Sequence, residues 1–343
     1  MLVKFWLTPS HPPVKLKAMA LPSPILGSVF MDTEIPAPTQ LLHGIVDQGG
    51  KLSIGGGSKS YKSWIFADLA LSIATGQPWL DFDTGDPQPV LYMNFEIPPY
   101  HFQQRLEAIS KARDIEVPDE LIVWNLRGYA AGYNDVEKVT IEQAKAHKAA
   151  MVITDPLYKI MGSNTDENAA GDMAKLFNSL ERVAVETGAA VAYAGHFSKG
   201  NQSAKNPIDR VSGSGVHGRD PDTIINFTRH KEEDAYTVDF TLRCYAPVSP
   251  FVVRWVFPLM VRADDLNPLD LQKKPNGRPA KLTVGHLLAI LRTQRKIIDD
   301  DTFFALAEAA HKISRKTFNR VLPELVLLPG VRHLPDGQWI YTN

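Results

Sequence analysis

Cysteine is almost missing from this sequence. Cys244 is the only one in 343 residues, which excludes an intrachain disulfide and a cysteine-built metal site. Such usage fits a reducing compartment, so the cytoplasm is the expected location. No apolar run is long enough to span a bilayer. The apolar start at Met1 is broken by Lys4 and by prolines at 9, 12 and 13, well short of a secretory hydrophobic region. A soluble chain without a membrane partner is expected. Charge of one sign is also lacking: 37 Lys and Arg against 38 Asp and Glu leave a net charge of -1. There is no overall field to draw in a polyanion, so any nucleic-acid contact has to come from local basic patches or loops.

What is present suffices for a large core. Hydrophobic residues make up 44% and charged residues 22%, as in ordinary soluble proteins, and the length suggests a large α/β domain with a smaller second one. Prolines at 9, 12, 13, 22, 24, 36 and 38 read residues 1–40 as an extended arm, reaching a neighbour in an oligomer or trailing as a tail. Over 41–264, short β-branched runs alternate with helical patterns, the signature of a mainly parallel sheet with crossover helices. The expected strands are 51–54, 90–95, 121–124, 149–154, 189–194 and 223–227, with 237–242 and 251–255 as antiparallel additions at the edge. Residues 265–281 are polar and turn-rich, and read as a linker. In 282–343, helical spacing over 282–295, 303–312 and 315–325, the last capped by Ser314, precedes a hairpin of 331–333 and 339–341. Three helices and a hairpin outline a winged helix.

The first strand runs into Gly55-Gly56-Gly57-Ser58-Lys59-Ser60-Tyr61-Lys62-Ser63 and then a helical pattern starting at Trp64. That order is what a phosphate loop needs: inward backbone N–H groups, a helix N-terminus, a lysine for the β and γ oxygens and a hydroxyl for Mg²⁺. Gly56, Lys62 and Ser63 fill the outer positions of G-x-x-x-x-G-K-[ST], while Tyr61 stands where the pattern has glycine. Gly57, Ser58, Lys59, Ser60, Tyr61 and Trp64 complete the expected nucleotide-binding stretch. The competing reading is a glycine-rich surface turn.

Ligands of open parallel sheets gather at the carboxyl ends of strands, where three further residues fall. Glu96 follows the 90–95 run, either as base for an attacking water or as a turn acid before Pro98-Pro99. Asp155 closes the 149–154 run in the manner of a Walker B carboxylate that holds Mg²⁺ through water. His196 follows the 189–194 run and lies near the γ-phosphate if that strand neighbours the Asp155 strand. Residues 200–218 are Gly/Ser-rich with Lys205, Arg210 and His217, and read either as a mobile partner-facing loop or as a disordered surface loop.

Gly-Gly-Gly-Ser-Lys-Ser-Tyr-Lys-Ser-Trp, Tyr92-Met-Asn-Phe-Glu96, Asp155-Pro-Leu-Tyr, Gly195-His-Phe-Ser-Lys199 and Ser212-Gly-Ser-Gly215 together resemble the plasmid RepA-type hexameric ATPases of the RecA/DnaB-like helicase superfamily. The resemblance covers about Leu41 to Trp255 and implies a RecA-like P-loop NTPase core, followed here by the winged-helix-like domain. It further implies a homo-oligomeric ring, expected to be a hexamer, with ATP and Mg²⁺ bound between subunits. In it Lys62 and Ser63 hold phosphate and Mg²⁺, Asp155 is the Walker B acid, Glu96 the water-activating base and His196 the γ-phosphate sensor. Arg243 stands where that family places the arginine given across the interface, with Arg229 in reserve. Channel loops over 159–168 and 199–219 would face single-stranded DNA through Lys159, Lys199, Lys205 and Arg210, although 162–168 is acidic. Arg315, Lys316 and Arg320 lie in the recognition-helix slot, for DNA or for a docked protein. The expected function is a DNA helicase or remodelling motor in replication of a mobile element, alongside its replication proteins. An ATP-gated DNA-binding adaptor without unwinding is the alternative.

Overall fold

The computed structural model describes residues 23–342, apart from 130–132, 161–169, 198–201, 203–204, 211–216, 273–281 and 295. The chain divides into two units, Met1–Thr39 and Gln40–Asn343. Among the described residues of the first unit there is one short helix, α1 (Gly27–Asp32), so this stretch is not extended throughout. Its Val29, Phe30 and Met31 are exposed.

The second unit opens with a minimal hairpin, β1 (Gln40–Leu42) and β2 (Val46–Asp47), and then enters the main sheet. The chain proceeds through β3 (Lys51–Gly56), α2 (Lys62–Thr75), β4 (Val90–Asn94), α3 (Pro99–Arg113), β5 (Leu121–Asn125), α4 (Tyr133–Ala146) and β6 (Met151–Asp155). It continues through α5 (Ala170–Thr187), β7 (Ala190–His196), β8 (Thr223–Arg229), β9 (Ala235–Leu242), β10 (Phe251–Val256) and β11 (Leu259–Arg262). These strands form one nine-stranded sheet in the order β11-β10-β9-β8-β3-β7-β6-β4-β5. The six strands from β8 to β5 are parallel, and β9, β10 and β11 add antiparallel at one edge.

The central strands are apolar throughout because both sheet faces are covered, and successive residues feed opposite cores. Val90 and Tyr92, Met151 and Ile153, and Ala190 and Ala192 join the cluster that contains α2 and α3. Leu91 and Met93, Val152, and Val191 and Tyr193 join the cluster on the other face with α5. Helix α2 is buried almost all round, from Ile65 to Ala74, which explains why its sequence shows little amphipathic period.

Beyond the main sheet lie α6 (Val284–Gln294), β12 (Ile298–Asp299), α7 (Asp300–His311), α8 (Arg315–Leu325), β13 (Val331–His333) and β14 (Gln338–Tyr341). Their apolar residues, led by Leu287, Phe303, Phe318 and Trp339, form a cluster of their own. The Ser314 hydroxyl accepts from the Thr317 N–H and caps α8, as its sequence suggests. The hairpin gains a third strand, since β12 pairs with β14.

Candidate active site

Parallel alignment brings the carboxyl ends of β3, β7, β6 and β4 to one edge. Register places Gly56 beside His196 and Asn94 beside Asp155, so the residues that follow these strands converge. His196 meets the condition set for it, because β7 pairs directly with β6. Between these ends lies a cleft of about 460 Å³, lined by Ser58 to Trp64, Glu96, Arg105, Asp155, Tyr158 and His196.

The loop from β3 to α2 is shaped by close approach. A Cβ at Gly56 would come within 2.5 Å of the Ser60 hydroxyl, so any other residue there would have to displace that side chain. No side chain caps the N-terminus of α2, which leaves its first N–H groups facing the cleft as an anion site. The Lys62 ammonium is buried and bonds the carbonyls of Gly57 (2.9 Å) and Gly56 (3.2 Å). Tyr61, at φ 60°, takes the left-handed turn for which the pattern reserves glycine. Its ring stacks on Trp255 with centroids 4.1 Å apart.

Burial lowers the pKa of Lys62 to about 8, against the opposing charges of Asp155 and Glu96. A bound polyphosphate favours the ammonium and lifts that value. Linkage then requires ATP affinity to hold steady below about pH 8 and to fall, by up to about tenfold per unit, above it. Titrations of ATP binding from about pH 7 to about pH 10 check this, and a flat profile would remove Lys62 from the phosphates. The nucleotide-free fold has the opposite dependence. Its unfolded lysine keeps a proton up to the ordinary 10.5, so between about 8 and 10.5 the unfolded state binds more protons and stability rises with pH.

Asp155 is buried at the end of β6, on the floor of the cleft. The Tyr92 hydroxyl donates to its Oδ2 at 2.8 Å, and the Ser63 hydroxyl is hydrogen-bonded to it as well. Burial pushes the Asp155 carboxyl up, while these two bonds and Arg105 pull it back. Burial and the Asp155 charge push the Tyr92 phenol well above its ordinary value, which keeps it a donor. Ser63 and Asp155 thus present two hard oxygen donors side by side at the phosphate loop, a donor set suited to Mg²⁺ shared with substrate phosphates.

Glu96 is exposed to the cleft on a turn that Asn94 fixes. The Asn94 side chain donates to the Ile97 carbonyl (2.8 Å) and to Asn125 (2.9 Å), and accepts from the Ile97 N–H (2.9 Å). Burial and the Lys62 charge lower the His196 pKa, opposed by Glu96. Its imidazole is therefore neutral near pH 7 and can offer a ring N–H to an oxygen.

A protein-family model described as an AAA domain matches residues 17–202, more than half of the chain. The chain belongs to the AAA domain family. It is accordingly a nucleotide-binding, nucleotide-hydrolysing P-loop ATPase. In this AAA domain Glu96, Asp155, His196 and residues 56–64 meet at one edge, as the strand ends suggest. Arg105, Tyr92 and Asn94 belong to the same arrangement, and sequence reasoning gave them no role. Arg105 sits on α3 with its guanidinium 4.6 Å from the centre of the Trp64 ring.

Arg243 lies elsewhere in its own chain. It bonds Asp222 (2.9 Å) and the Arg219 carbonyl (2.6 Å), and the Asp222 N–H donates to the carbonyl of Lys51 at the start of β3. That is the opposite end of the sheet, roughly 16 Å along β3 from Gly56. Arg229 instead ends β8 at the phosphate side and is exposed.

Of the described residues in the polar segment 200–218, Arg210 and His217 are buried rather than at the surface. Arg210 is buried, bonds Thr228 (3.0 Å) and pairs with Asp239, which Asn226 also holds (3.2 Å). Its charge is satisfied inside, so it is not a surface contact for DNA phosphate, and that expectation is corrected. His217 is buried against Phe177, and burial lowers its pKa to about 4. Lys205 is half-buried, and Lys199 lies outside the described residues. On α8, Lys316 and Arg320 are exposed, whereas Arg315 pairs with Asp301 and lies over Phe304. Among the described residues no helix is long and apolar enough to cross a membrane.

Proposed function

We propose that this AAA domain works as a Mg²⁺-dependent ATPase in a homo-oligomeric ring, a hexamer by resemblance, that moves on or remodels single-stranded DNA as a replicative helicase or motor of a mobile element. The observation that carries the hydrolytic part is the convergence of the Lys62 cradle, Glu96, Asp155 and His196 on one cleft. The ring follows from the resemblance, with Arg243, which lies at the far end of the sheet from its own phosphate loop, as the residue that would serve a neighbour's site. Exposed Lys316 and Arg320 on α8, in a domain of winged-helix outline, support DNA contact.

Lys62 and the N–H groups opening α2 hold the β and γ oxygens, which fixes the line of attack. Glu96 orients a water and accepts its proton, and His196 contacts a γ oxygen. Arg105, beside Asp155 and Glu96, meets the charge that builds on the transferring group. Ser63 and Asp155 would hold Mg²⁺, which would supply positive charge to offset part of that build-up.

The deciding measurement is ATP turnover with and without single-stranded DNA, together with the mass in solution with a non-hydrolysable nucleotide. DNA stimulation in a ring-sized assembly is expected. Slow turnover indifferent to DNA, or a persistent monomer, would replace the motor with an ATP-gated adaptor.

A further inference from the structure

The phosphate loop carries a bulky residue at a left-handed turn. Tyr61 has φ 60° and ψ 17°, a conformation in which a side chain is strained and glycine is not. That turn immediately precedes Lys62 and Ser63, so it decides where the first N–H groups of α2 and the lysine point. A tyrosine persists in such a turn only when its surroundings over-determine it.

The surroundings are aromatic and come from the far edge of the sheet. The Tyr61 ring stacks nearly flat on Trp255 of β10, with an interplanar angle of 12°. Its other contact is edge-on, against Tyr236 of β9 at 6.2 Å. Its hydroxyl reaches toward Asp234, whose carbonyl accepts from the Trp255 N–H at 2.8 Å. Trp255 is braced in turn by Trp64 at 5.6 Å and Phe257 at 6.2 Å. The loop is thereby fastened to the β9–β10 region, far from it in sequence.

We propose that Tyr61 and Trp255 form an aromatic clamp that replaces the missing glycine, holding the left-handed turn so that the cradle is shaped for a polyphosphate before it binds. Tyr61 and Trp255 are positioning residues: they act through the backbone N–H groups and Lys62. The inference rests on the reading of this cleft as the triphosphate site.

Tyr61→Phe keeps the ring, Tyr61→Gly removes the strain together with the ring, and Tyr61→Ala keeps the strain without the ring. Calorimetric affinities for ATP and for inorganic triphosphate, both with Mg²⁺, should therefore rank Phe and Gly above Ala, with Ala weakened about threefold to tenfold, the usual worth of one aromatic pair. Trp255→Ala should cost a similar factor with Tyr61 present and less than about twofold in the Tyr61→Gly background, the mark of a pair that acts as one unit. Thermal unfolding of each variant keeps general destabilisation apart from this coupling. If Trp255→Ala fails to fold, the ranking at position 61 still decides.

Ala binding as well as Gly overturns the clamp, as does a Trp255→Ala penalty of equal size in both backgrounds. A penalty seen with ATP and absent with inorganic triphosphate would make Trp255 a base contact, which also overturns it. Failure of the unaltered protein to bind either ligand would reject the triphosphate site itself, and the clamp with it.

Discussion

Glu96→Gln should retain ATP affinity and lose about 10²–10⁴-fold in turnover, the range expected when a positioned general base is removed. Two features make the carboxylate free to act. Asn94 uses its side-chain amide to hold the 94–97 turn and to tie it to Asn125, so Glu96 is placed without being engaged by that network. The other carboxylate of the cleft, Asp155, is already tied to Tyr92 and Ser63 and is buried, which leaves it poorly suited to accept a proton from water. Glutamine keeps size and hydrogen bonding while losing the basic oxygen. Equilibrium binding of ATP together with steady-state phosphate release separates the two effects. Turnover within about threefold of the unaltered protein would move the base elsewhere, whereas lost binding would mean that Glu96 shapes the cleft.

The parts of this site that stand at strand ends were legible in the sequence. A buried parallel strand reads as a short apolar run, and a polar residue closing it has to face the carboxyl edge, so Glu96, Asp155 and His196 could be placed before any coordinates. Arg105 could not. On α3 it precedes buried Leu106 and resembles one more charge on a solvated helix face; only the packing of α3 against α2 turns it to the cleft. Tyr92 reads as an ordinary core residue of β4, because its hydroxyl finds Asp155 only through the pairing of β4 with β6. Arg210 misleads in the opposite sense. Its neighbours are polar, yet β8 and β9 carry Asn226 and Asp239 opposite each other in the buried stretch of both strands, a polar inset that needed a cation. Strands of two to four residues, such as β1, β2, β11 and β12, are too short to show a period at all.

Arg105→Ala should lower kcat by roughly 10³-fold while ATP affinity changes little, the low end of what an arginine contributes to phosphoryl transfer. The guanidinium is half-buried between Trp64 and the carboxylates; burial lowers its pKa, while Tyr92, Asp155 and Glu96 draw it up. A cation held in such a place is pre-oriented, and its interaction strengthens as charge grows on the transferring phosphoryl group. Arg105→Lys should recover only part of the loss, since an ammonium lacks the planar donor fork and the stacking on Trp64. Arg105 belongs to the chain whose Lys62 would hold the nucleotide, whereas Arg243 is proposed to serve a neighbour's nucleotide. Mixing Arg243→Ala subunits with Lys62→Ala subunits should therefore restore turnover at interfaces where an intact cleft meets an intact Arg243. Mixing Arg105→Ala with Lys62→Ala should restore none, because every cleft in that assembly carries a defect of its own. Recovery in the second mixture would make Arg105 the group donated across the interface, and recovery in neither would leave Arg243 without a role across it.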